Sequence, residues 1–424
     1  MKIAIVGGGI SGLVAGYLLH EDHEITLFEA ADYVGGHTNT VDVDLDGSTF
    51  AVDTGFIVFN DRTYPNFIEL LGELRVESKP TQMTLSVSCE RTGLEYRGAD
   101  FNGLFAQRRN LLNPRFLRLL WDLLRFNKMG AEILSQLETA ESEQTVEEFF
   151  QRNHFSQQFL DQYFMPMGAA IWSSSFDTFK KFPIRFIAEF YHNHGLLSVK
   201  NRPQWRVIKG GSRQYVDPLT RNWRDRICLN CRVEKVERID NQVIVKTFKD
   251  DSKAFDHIIF ACHSDQALKI LADNATESER EILSAFRYQP NVATLHTQES
   301  ILPKNKRSWA CWNYFVPTQA SESATVTYNM NMLQSLDASK VFCVTLNDQG
   351  RILPENVIKT FQYSHPTFGK NRKQMQNRHR ELIGPNQTSF CGAYWGNGFH
   401  EDGVVSALAV VDTFKSTQPE SVSP

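Results

Sequence analysis

The N-terminal segment through Glu29 constrains the fold of this chain more than any other stretch. The apolar run Lys2 to Val6 is followed by Gly7-Gly-Gly-Ile-Ser-Gly12, and Leu13 to Leu19 has the apolar spacing of a helix. A second apolar run, Glu24 to Phe28, ends at the acid Glu29. In a G-x-G-x-x-G pattern between a strand and a helix, the glycines permit a tight turn, close approach of backbone to a pyrophosphate, and close helix packing. The segment therefore predicts a Rossmann-type βαβ unit that binds a dinucleotide.

The acid at the end of the second predicted strand narrows the choice of dinucleotide. Glu29 lies seventeen residues after Gly12. A carboxylate there can accept hydrogen bonds from the adenosine ribose hydroxyls, and it disfavours a 2′-phosphate. NADP is therefore not expected at this site, whereas the fingerprint alone leaves NAD and FAD open.

Length and charge exclude several classes of protein. A single core rarely grows beyond ~300 residues, so a chain of 424 residues predicts two domains. The net charge of −4 and pI near 6.3 lack the basic field expected for a nucleic-acid partner. Charged residues interrupt every long apolar run, and no signal-peptide pattern follows Met1. We therefore expect a cytoplasmic protein with no nucleic-acid partner.

The cysteines predict neither a disulfide framework nor a metal site. There are seven, scattered along the chain, and only Cys228 and Cys231 form a CxxC pair. Their run, Ile227 to Val233, is predicted as one strand, in which residues three apart point to opposite faces. No second pair completes a zinc site. Reduced, structural thiols are the expectation.

The remaining pattern predicts an order of elements. Thr38 to Asp53 alternates around Asp46-Gly47, which predicts a hairpin. Residues 101 to 200 have helical spacing, and residues 290 to 350 alternate as in a second sheet. Residues 355 to 383 are polar and are predicted as helix or loop. Further strands are predicted at 232–239, 242–248 and 257–261.

The run Glu29-Ala-Ala-Asp-Tyr-Val-Gly-Gly-His37 resembles the flavin-containing amine oxidase superfamily, which includes phytoene desaturases and protoporphyrinogen oxidases. In that superfamily an acid, a spacer and Gly-Gly-Arg follow the second strand, so His37 replaces the arginine here. A histidine can still donate a hydrogen bond to the pyrophosphate. Other segments resembling the superfamily are Asp53–Ile57, Lys209–Ser212, Val233, His257–Ala261 and Phe390–Gly392.

The C-terminal segment Gly398 to Val404 resembles the motif that places a helix N-terminus at the N1–C2=O edge of the flavin. Such a terminus stabilises the negative charge of reduced flavin. The resemblance implies non-covalent FAD and a set of cofactor-binding residues: Gly7, Gly9, Ile10, Ser11, Gly12, Glu29, Ala30, Gly36, His37, Thr38, Gly55, Phe56, Ile57, Val233, Gly392, Asp402, Gly403 and Val404.

Within the superfamily, the chain resembles a bacterial subfamily of NAD/FAD-binding proteins whose genes often lie beside cyclopropane-fatty-acid-synthase-like genes. That context implies acyl-chain chemistry. The segments that carry this resemblance are Ala170–Ser173, Asn193–Leu197, Trp309–Tyr314, Val326–Asn331 and Gly398–Gly403.

The catalytic residues are hard to identify because hydride transfer to a flavin needs positioning more than a base. Candidates are His194 and His400, each with a purely structural role as the alternative, and Phe399. In amine oxidases two aromatic side chains form a cage for the amine. Phe399 with Trp309, Trp312 or Tyr394 would form such a cage, or these aromatics line an apolar tunnel, which we favour.

A basic apolar segment suggests where a lipid would enter. Arg115, Arg118, Asp122 and Arg125 fall on one face of a predicted helix. This helix either lies on anionic lipid or packs in a domain with one solvated stripe. We expect an apolar tunnel to reach the surface near its residues Phe116, Leu120 and Trp121.

The predicted architecture is α/β: a Rossmann-type FAD-binding domain interleaved with an α+β substrate domain. The FAD-binding domain is predicted at 1–62, 203–268 and 386–420. The substrate domain, with its helical insert, is predicted at 63–202 and 269–385.

The leading hypothesis for function is an FAD-dependent oxidoreductase that removes hydride from an apolar substrate such as a fatty-acyl chain, in the manner of a desaturase. A flavin amine oxidase that releases hydrogen peroxide is the first alternative, and a redox-neutral isomerase or non-catalytic flavoprotein is the second. The expected partner is a small-molecule or lipid substrate, with peripheral contact to the inner membrane surface left open, as is the electron acceptor.

Overall fold

The computed structural model describes residues 1–135, 144–172, 175–198, 202–249, 251–318, 325–367, 369 and 371–415, without the side chains of residues 169 and 170. Ser173, one end of a segment used in the sequence comparison, and residues 416–420 of the predicted FAD-binding domain therefore lie outside the described residues. The predicted βαβ unit is confirmed, since the first two strands pair in parallel around a helix.

A parallel sheet forms the centre of the Rossmann-type part. Its strands run in the order β10–β2–β1–β14–β20. Most of its residues are buried aliphatic or aromatic side chains, as expected for a sheet covered on both faces. The strands are β1 (Lys2–Val6), β2 (Glu24–Phe28), β10 (Ile227–Cys228), β14 (His257–Phe260) and β20 (Thr388–Phe390).

Two helices from opposite ends of the chain cover one face of this sheet. Helix α1 (Ile10–Leu19) follows the glycine turn, and α15 (His400–Lys415) is the last described element. Both contribute to one apolar cluster with β1. At their contact the Ser11 hydroxyl donates a hydrogen bond of 2.9 Å to the Gly403 carbonyl. The C-terminal segment is thereby fixed beside the glycine turn.

The CxxC segment corrects one prediction. Ile227 to Val233 is not a single strand, because β10 ends at Cys228 and the next strand begins at Val233. Asn230 between them has φ of 49°, a left-handed conformation that breaks a strand. The argument from strand geometry was therefore wrong, although both cysteines are free thiols. The next strands form an antiparallel meander: β11 (Val233–Ile239), β12 (Gln242–Thr247) and β13 (Ser252–Phe255).

The predicted second sheet is present and larger than expected. Its strands run in the order β19–β15–β18–β17–β16–β7–β8. The prediction of helix or loop over 355–383 was wrong for Val357–Thr367, which is an eleven-residue strand along β15. The strands are β7 (Leu85–Cys89), β8 (Leu94–Arg97), β15 (Arg287–His296), β16 (Trp312–Val316), β17 (Thr325–Asn329), β18 (Cys343–Leu346) and β19 (Val357–Thr367).

The predicted helical region is confirmed over its described residues. Aromatic side chains dominate its core, where Phe126 contacts the rings of Phe149, Phe150, Phe164 and Tyr191. The helices are α3 (Phe101–Leu104), α4 (Pro114–Ser135), α5 (Val146–Asn153), α6 (Gln157–Phe159), α7 (Met165–Trp172), α8 (Phe176–Phe179) and α9 (Ile184–Asn193).

Short elements connect the two large sheets. The predicted hairpin is confirmed as β3 (Thr40–Leu45) paired with β4 (Ser48–Asp53), and a small sheet has the order β5–β9–β6. The remaining elements are β5 (Phe59–Asn60), β6 (Ser78–Pro80), β9 (Trp205–Ile208), α2 (Pro65–Glu73), α10 (Val216–Thr220), α11 (Ser264–Leu271), α12 (Glu277–Ser284), α13 (Met330–Gln334) and α14 (Arg372–Asn377).

Candidate active site

A cavity of about 1360 Å³ runs between the parallel sheet and the second sheet. It has exposed residues in two groups, which mark two openings. The first group lies beside the meander and comprises Ala30, Arg232, Glu234, Gln266 and Lys269. The second, which we call the mouth, comprises Gln82, Gly98, Ala99, Asp100, Arg202 and Gln204.

The glycine turn forms one wall of the cavity. Gly7 has φ of 109°, and a Cβ at this residue would lie 3.0 Å from the Ala261 backbone. The turn is held by Glu29, whose Oε2 accepts a hydrogen bond of 2.7 Å from the Gly8 amide. Its Oε1 accepts one of 2.8 Å from the Ala31 amide. The carboxylate therefore fixes both the glycine turn and the turn after β2 while facing the cavity.

His37 lies on the same wall, within an unpredicted group of histidines and tyrosines. Its ring centre is 4.7 Å from that of Tyr363 and 5.2 Å from that of His365. Its Nε2 atom is buried and has no hydrogen-bond partner among the described residues. Burial lowers the pKa of His37 to about 4, with His263 contributing in the same direction. The ring is therefore neutral at pH 7 and presents a polar atom without a partner at the cavity wall.

These features fit an FAD molecule in this part of the cavity. No heavy atom lies within 4 Å of a Cβ placed on Gly9, so its backbone faces open space. The unpaired His37 Nε2 and the backbone amides at the start of α1 suit phosphate oxygens. The opening between Ala30 and Arg232 leads away from this turn, where the adenosine end of such a molecule would lie. The wall thus combines backbone groups, a neutral histidine and the Glu29 carboxylate.

Most of the residues assigned from the sequence line this cavity. Those that do are Gly7, Gly9, Ile10, Ser11, Glu29, Ala30, Gly36, His37, Gly55, Phe56, Ile57, Val233 and Gly392, together with His194, Trp312, Tyr394, Phe399 and His400. Those that do not are Gly12, Thr38, Asp402, Gly403, Val404 and Trp309. The structure therefore gathers most of the assigned set around one space, and the role of each member toward FAD stays a prediction.

The assigned residues outside the lining hold the wall in place. A Cβ on Gly12 would lie 2.0 Å from the Gly7 carbonyl oxygen, so α1 can approach the turn only at a glycine. Asp402 Oδ2 accepts a hydrogen bond of 2.8 Å from the Phe399 amide, which stabilises the start of α15. Val404 is buried in the cluster between α1 and α15.

His400 is held by a buried polar cluster. Its Nε2 lies 3.0 Å from Thr38 Oγ1 and 2.9 Å from the Tyr215 hydroxyl, and these two hydroxyls also contact each other. Its ring stacks on Phe56 with centres 3.6 Å apart. Burial lowers the pKa of His400 well below its usual range. A neutral imidazole held through Nε2 positions Phe56 and the start of α15 and is poorly suited to shuttling protons.

His194 is likewise a packed, neutral ring. Its Nδ1 donates a hydrogen bond of 2.9 Å to the Phe190 carbonyl, and its Nε2 lies 3.4 Å from Thr63 Oγ1. Burial lowers the pKa of His194 to about 4. Phe399, Phe190 and His194 stack in sequence, with ring centres 5.2 and 3.8 Å apart. The arrangement is a continuous aromatic wall.

The part of the cavity between His400 and the mouth, which we call the chamber, has mainly apolar walls. Among the described lining residues of the whole cavity, the carboxylates are Glu29, Asp100 and Glu234. Glu29 lies on the wall of the glycine turn, Glu234 lies at the opening beside the meander, and Asp100 lies at the mouth. The chamber walls include Met83, Leu85, Leu123, Tyr163, Met167, Ile171, Trp172, Leu196, Trp205, Trp312, Tyr328 and Leu346.

Sequence reasoning missed several lining residues. Tyr363 and His365 come from β19, which was not predicted as a strand, and His263 follows β14. Arg202 is a cation at the mouth and lies in a loop without a recognisable motif. The end of β14 was a usable signal for His263, because ligands bind at the carboxyl ends of parallel strands.

Comparisons with known proteins agree with this geometry. A family model described as flavin containing amine oxidoreductase matches residues 10–413. The flavin-containing amine oxidase B of Sus scrofa is 24% identical over 281 residues, which cover 63% of this chain and 51% of that protein. The chain thus spans about half the length of that curated relative.

Solved structures share the fold over nearly the whole chain. The cyclohexylamine oxidase from Brevibacterium oxydans has a TM-score of 0.69 at 16% identity, covering 98% of this chain and 99% of that one. The CLA-producing fatty acid isomerase from P. acnes has a TM-score of 0.67 at 14% identity, covering 98% of each chain. At these identities the likeness concerns the fold alone.

Proposed function

The chain belongs to the flavin containing amine oxidoreductase family and is an FAD-dependent oxidoreductase; from that premise we propose that it removes a hydride from a fatty-acyl chain. The observation that carries the proposal is the chamber, which has aromatic and aliphatic walls and, among the described lining residues, carboxylates only toward its two ends. A protonated amine entering it would lose hydration without gaining a charged partner. An alkyl chain would lose only contact with water.

The proposed cofactor contacts follow the wall described above. Glu29 accepts hydrogen bonds from the ribose, Gly7 and Gly9 approach the pyrophosphate, and Gly403 with Val404 lies behind the flavin edge. FAD stays non-covalent in this proposal. The FAD-binding domain comprises 1–62, 203–268 and 386–420, and the substrate domain 63–202 and 269–385.

When bound, FAD supplies an acceptor for hydride at N5 of its ring. In a desaturation, one C–H bond of the chain breaks with its electron pair, the neighbouring carbon loses a proton to water, and a carbon–carbon double bond forms. The acyl chain is oxidised by two electrons, and a quinone or dioxygen later receives them. The protein's own contribution is to align one methylene of the chain for hydride transfer.

The aromatic wall provides the alignment. Phe399, Phe190 and His194 stack on one another, and Trp205 continues the row with its ring centre 6.0 Å from that of His194. An extended chain lying along this row of rings has a limited number of positions. Which carbon is oxidised then depends on how far the tail enters. The solved fatty acid isomerase with this fold supports the idea that the architecture can take an acyl chain.

The test begins with comparative lipid analysis of a deletion strain and wild type. The lipid that changes is then mixed anaerobically with the yellow protein. We expect loss of the oxidised-flavin absorbance together with a product lighter by two hydrogens. Bleaching by amines with none by acyl lipids would identify an amine oxidase. A shifted double bond without net flavin reduction would identify an isomerase.

A pair of matched variants ties the reaction to the chamber. Met167 lines the chamber, whereas Met129 packs on the same helical core without lining it. Met167→Gln should lower the rate of anaerobic bleaching by the acyl substrate roughly tenfold, because it places an amide against the chain. Met129→Gln should leave that rate near wild type. Equal rates in both variants would contradict binding in the chamber.

A further inference from the structure

The surface around α3 and the start of α4 exposes apolar side chains to an unusual degree. Leu112 is 89% exposed, Phe101 62% and Leu124 60%. Leu117, Trp121 and Leu124 share one face of α4 because they are spaced by four and three residues. We call the following set the apolar patch: Phe101, Leu111, Leu112, Leu117, Trp121 and Leu124.

The stretch of chain that carries this apolar patch contains many cations and few acids. Residues 101–128 contain six lysines and arginines and one acid, Asp122, in a chain whose net charge is −4. Asp122 is fully buried, accepts a hydrogen bond from the Ser156 amide, and contacts Arg118 and Arg125. The prediction that it belongs to a solvated stripe was therefore wrong. The surface of this segment is consequently cationic and apolar at once.

The apolar patch adjoins the mouth of the cavity. Gly98, Ala99 and Asp100 line the mouth and are exposed, and Phe101 is the next residue. From the other side, Leu123 of α4 lines the chamber, while its neighbours Trp121 and Leu124 are exposed. The same short stretch of chain thus contributes both to the cavity wall and to the exposed surface.

We propose that the apolar patch docks on an anionic lipid bilayer and presents the mouth to it. This inference rests on the proposed acyl substrate and deepens it, since a chain leaving the bilayer would enter the chamber without crossing water. Exposed leucines and a tryptophan insert at the acyl boundary, and arginines contact phosphate headgroups. None of the described helices combines the length and apolar character that crossing a bilayer requires.

The positive charge around the apolar patch favours a bilayer over a second copy of this chain as its binding partner. In a twofold-symmetric dimer the same surface meets itself, so the cations of one copy would face those of the other. An anionic membrane neutralises them instead. Trp121 also lies under the Arg118 guanidinium, 4.4 Å from the ring centre, which suits the boundary between headgroups and acyl chains.

The experiment uses the full FAD-loaded protein and sedimentation with vesicles of phosphatidylcholine alone or mixed with phosphatidylglycerol. We expect binding to the anionic vesicles at low salt, and a loss of roughly tenfold in affinity for Leu112→Ser/Leu124→Ser. The matched control is Ile239→Ser/Leu353→Ser, which removes two exposed apolar side chains elsewhere. Arg118 and Arg125 are left intact because both contact the buried Asp122.

Wild-type protein that ignores anionic vesicles at low salt would overturn the proposal. So would equal loss of binding in the patch and control variants. A wild-type dimer that becomes monomeric in the patch variant would assign the surface to a second copy. Flavin bleaching by detergent-dispersed acyl substrate is measured separately. If bleaching fails while patch-dependent vesicle binding holds, the proposed substrate is wrong and the docking surface stands.

Discussion

At the scale of single residues, the site depends on carboxylates that serve the backbone. Glu29 accepts hydrogen bonds from two main-chain amides, those of Gly8 and Ala31. Asp53 accepts more hydrogen bonds, one of them from a main-chain amide. It is fully buried, and its oxygens accept hydrogen bonds from Thr40, from the amide and hydroxyl of Ser212, and from Gln334. These acids bring together segments far apart in sequence.

We predict that Glu29→Ala weakens FAD binding by about 1.5–3 kcal/mol, because charge-assisted hydrogen bonds to the ribose are lost. Asp32→Ala, which removes an exposed acid three residues away, should leave the affinity unchanged. Titration of apo-protein with FAD, followed by flavin fluorescence, measures both. Equal affinities for the two variants would place the ribose elsewhere.

Asp53 gives stability a defined pH dependence. Burial raises its pKa to about 6, from an ordinary value of 3.8, despite the hydrogen bonds that it accepts. The folded state therefore binds this proton more tightly than the unfolded state. The resulting stability is fully present below about pH 4 and is lost as the pH rises through about 6.

We expect wild type to gain about 2 kcal/mol relative to Asp53→Asn as the pH falls from about 7.5 to about 4.5. The asparagine variant lacks this titration, and the other acids are common to both proteins. Urea unfolding across that range measures the difference. Parallel curves for the two proteins would show that the pKa of Asp53 is not raised.

At the scale of elements, the sequence predicts a helix or strand best when the residues that determine its structure are close together in the chain. The glycine turn, α1 and β2 lie in one contiguous motif, so their place around the cavity could be predicted. β19 could not be, because it is an edge strand with mostly exposed side chains at its start and shows little apolar alternation. Tyr363 and His365 reach the site only through that strand. Their proximity to His37 arises from the tertiary structure and is not visible in the local sequence.

Helix α4 shows a second limit. Its spacing indicated a polar stripe through Asp122, yet packing against Ser156 buries that acid and leaves Trp121 and Leu124 exposed. Periodicity identifies two faces of a helix, but the neighbouring elements decide which one is covered.

A buried ion pair joins the meander to helix α12. Arg238 of β11 binds Glu279 of α12 through two hydrogen bonds of 2.7 and 3.1 Å, with side chains 11% and 4% exposed. It also donates to Thr388 of β20. Arg238→Ala leaves a buried carboxylate without its partner, so we predict a loss of about 3–5 kcal/mol in the free energy of unfolding.

The control lies on the same strand. Lys235 pairs with Glu237 at the surface, with side chains 49% and 41% exposed, so Lys235→Ala should cost less than about 1 kcal/mol. Urea unfolding of both variants gives the comparison. Similar losses would mean that the Arg238 pair is no more than a surface contact.

At the scale of the whole molecule, three separated stretches of chain meet around one cavity. The glycine turn, the end of β14 and the start of α15 form the wall on the side of the parallel sheet, and strands of the second sheet close the other side. The cavity continues from the proposed adenosine end to the mouth. The proposed positions of the cofactor and the substrate are therefore neighbouring parts of one space.

This arrangement leads to a prediction about the source of electrons. The sequence has one G-x-G-x-x-G fingerprint, and the wall that contains it is assigned to FAD. The Glu29 carboxylate at the end of β2 repels a 2′-phosphate. NADPH should therefore reduce the flavin no faster than it does free FAD in solution. Anaerobic stopped-flow mixing with NADPH measures this, with the acyl substrate as the positive control. Rapid, saturable reduction by NADPH would mean that the chamber admits a nicotinamide ring, and the acyl-chain proposal would fail with it.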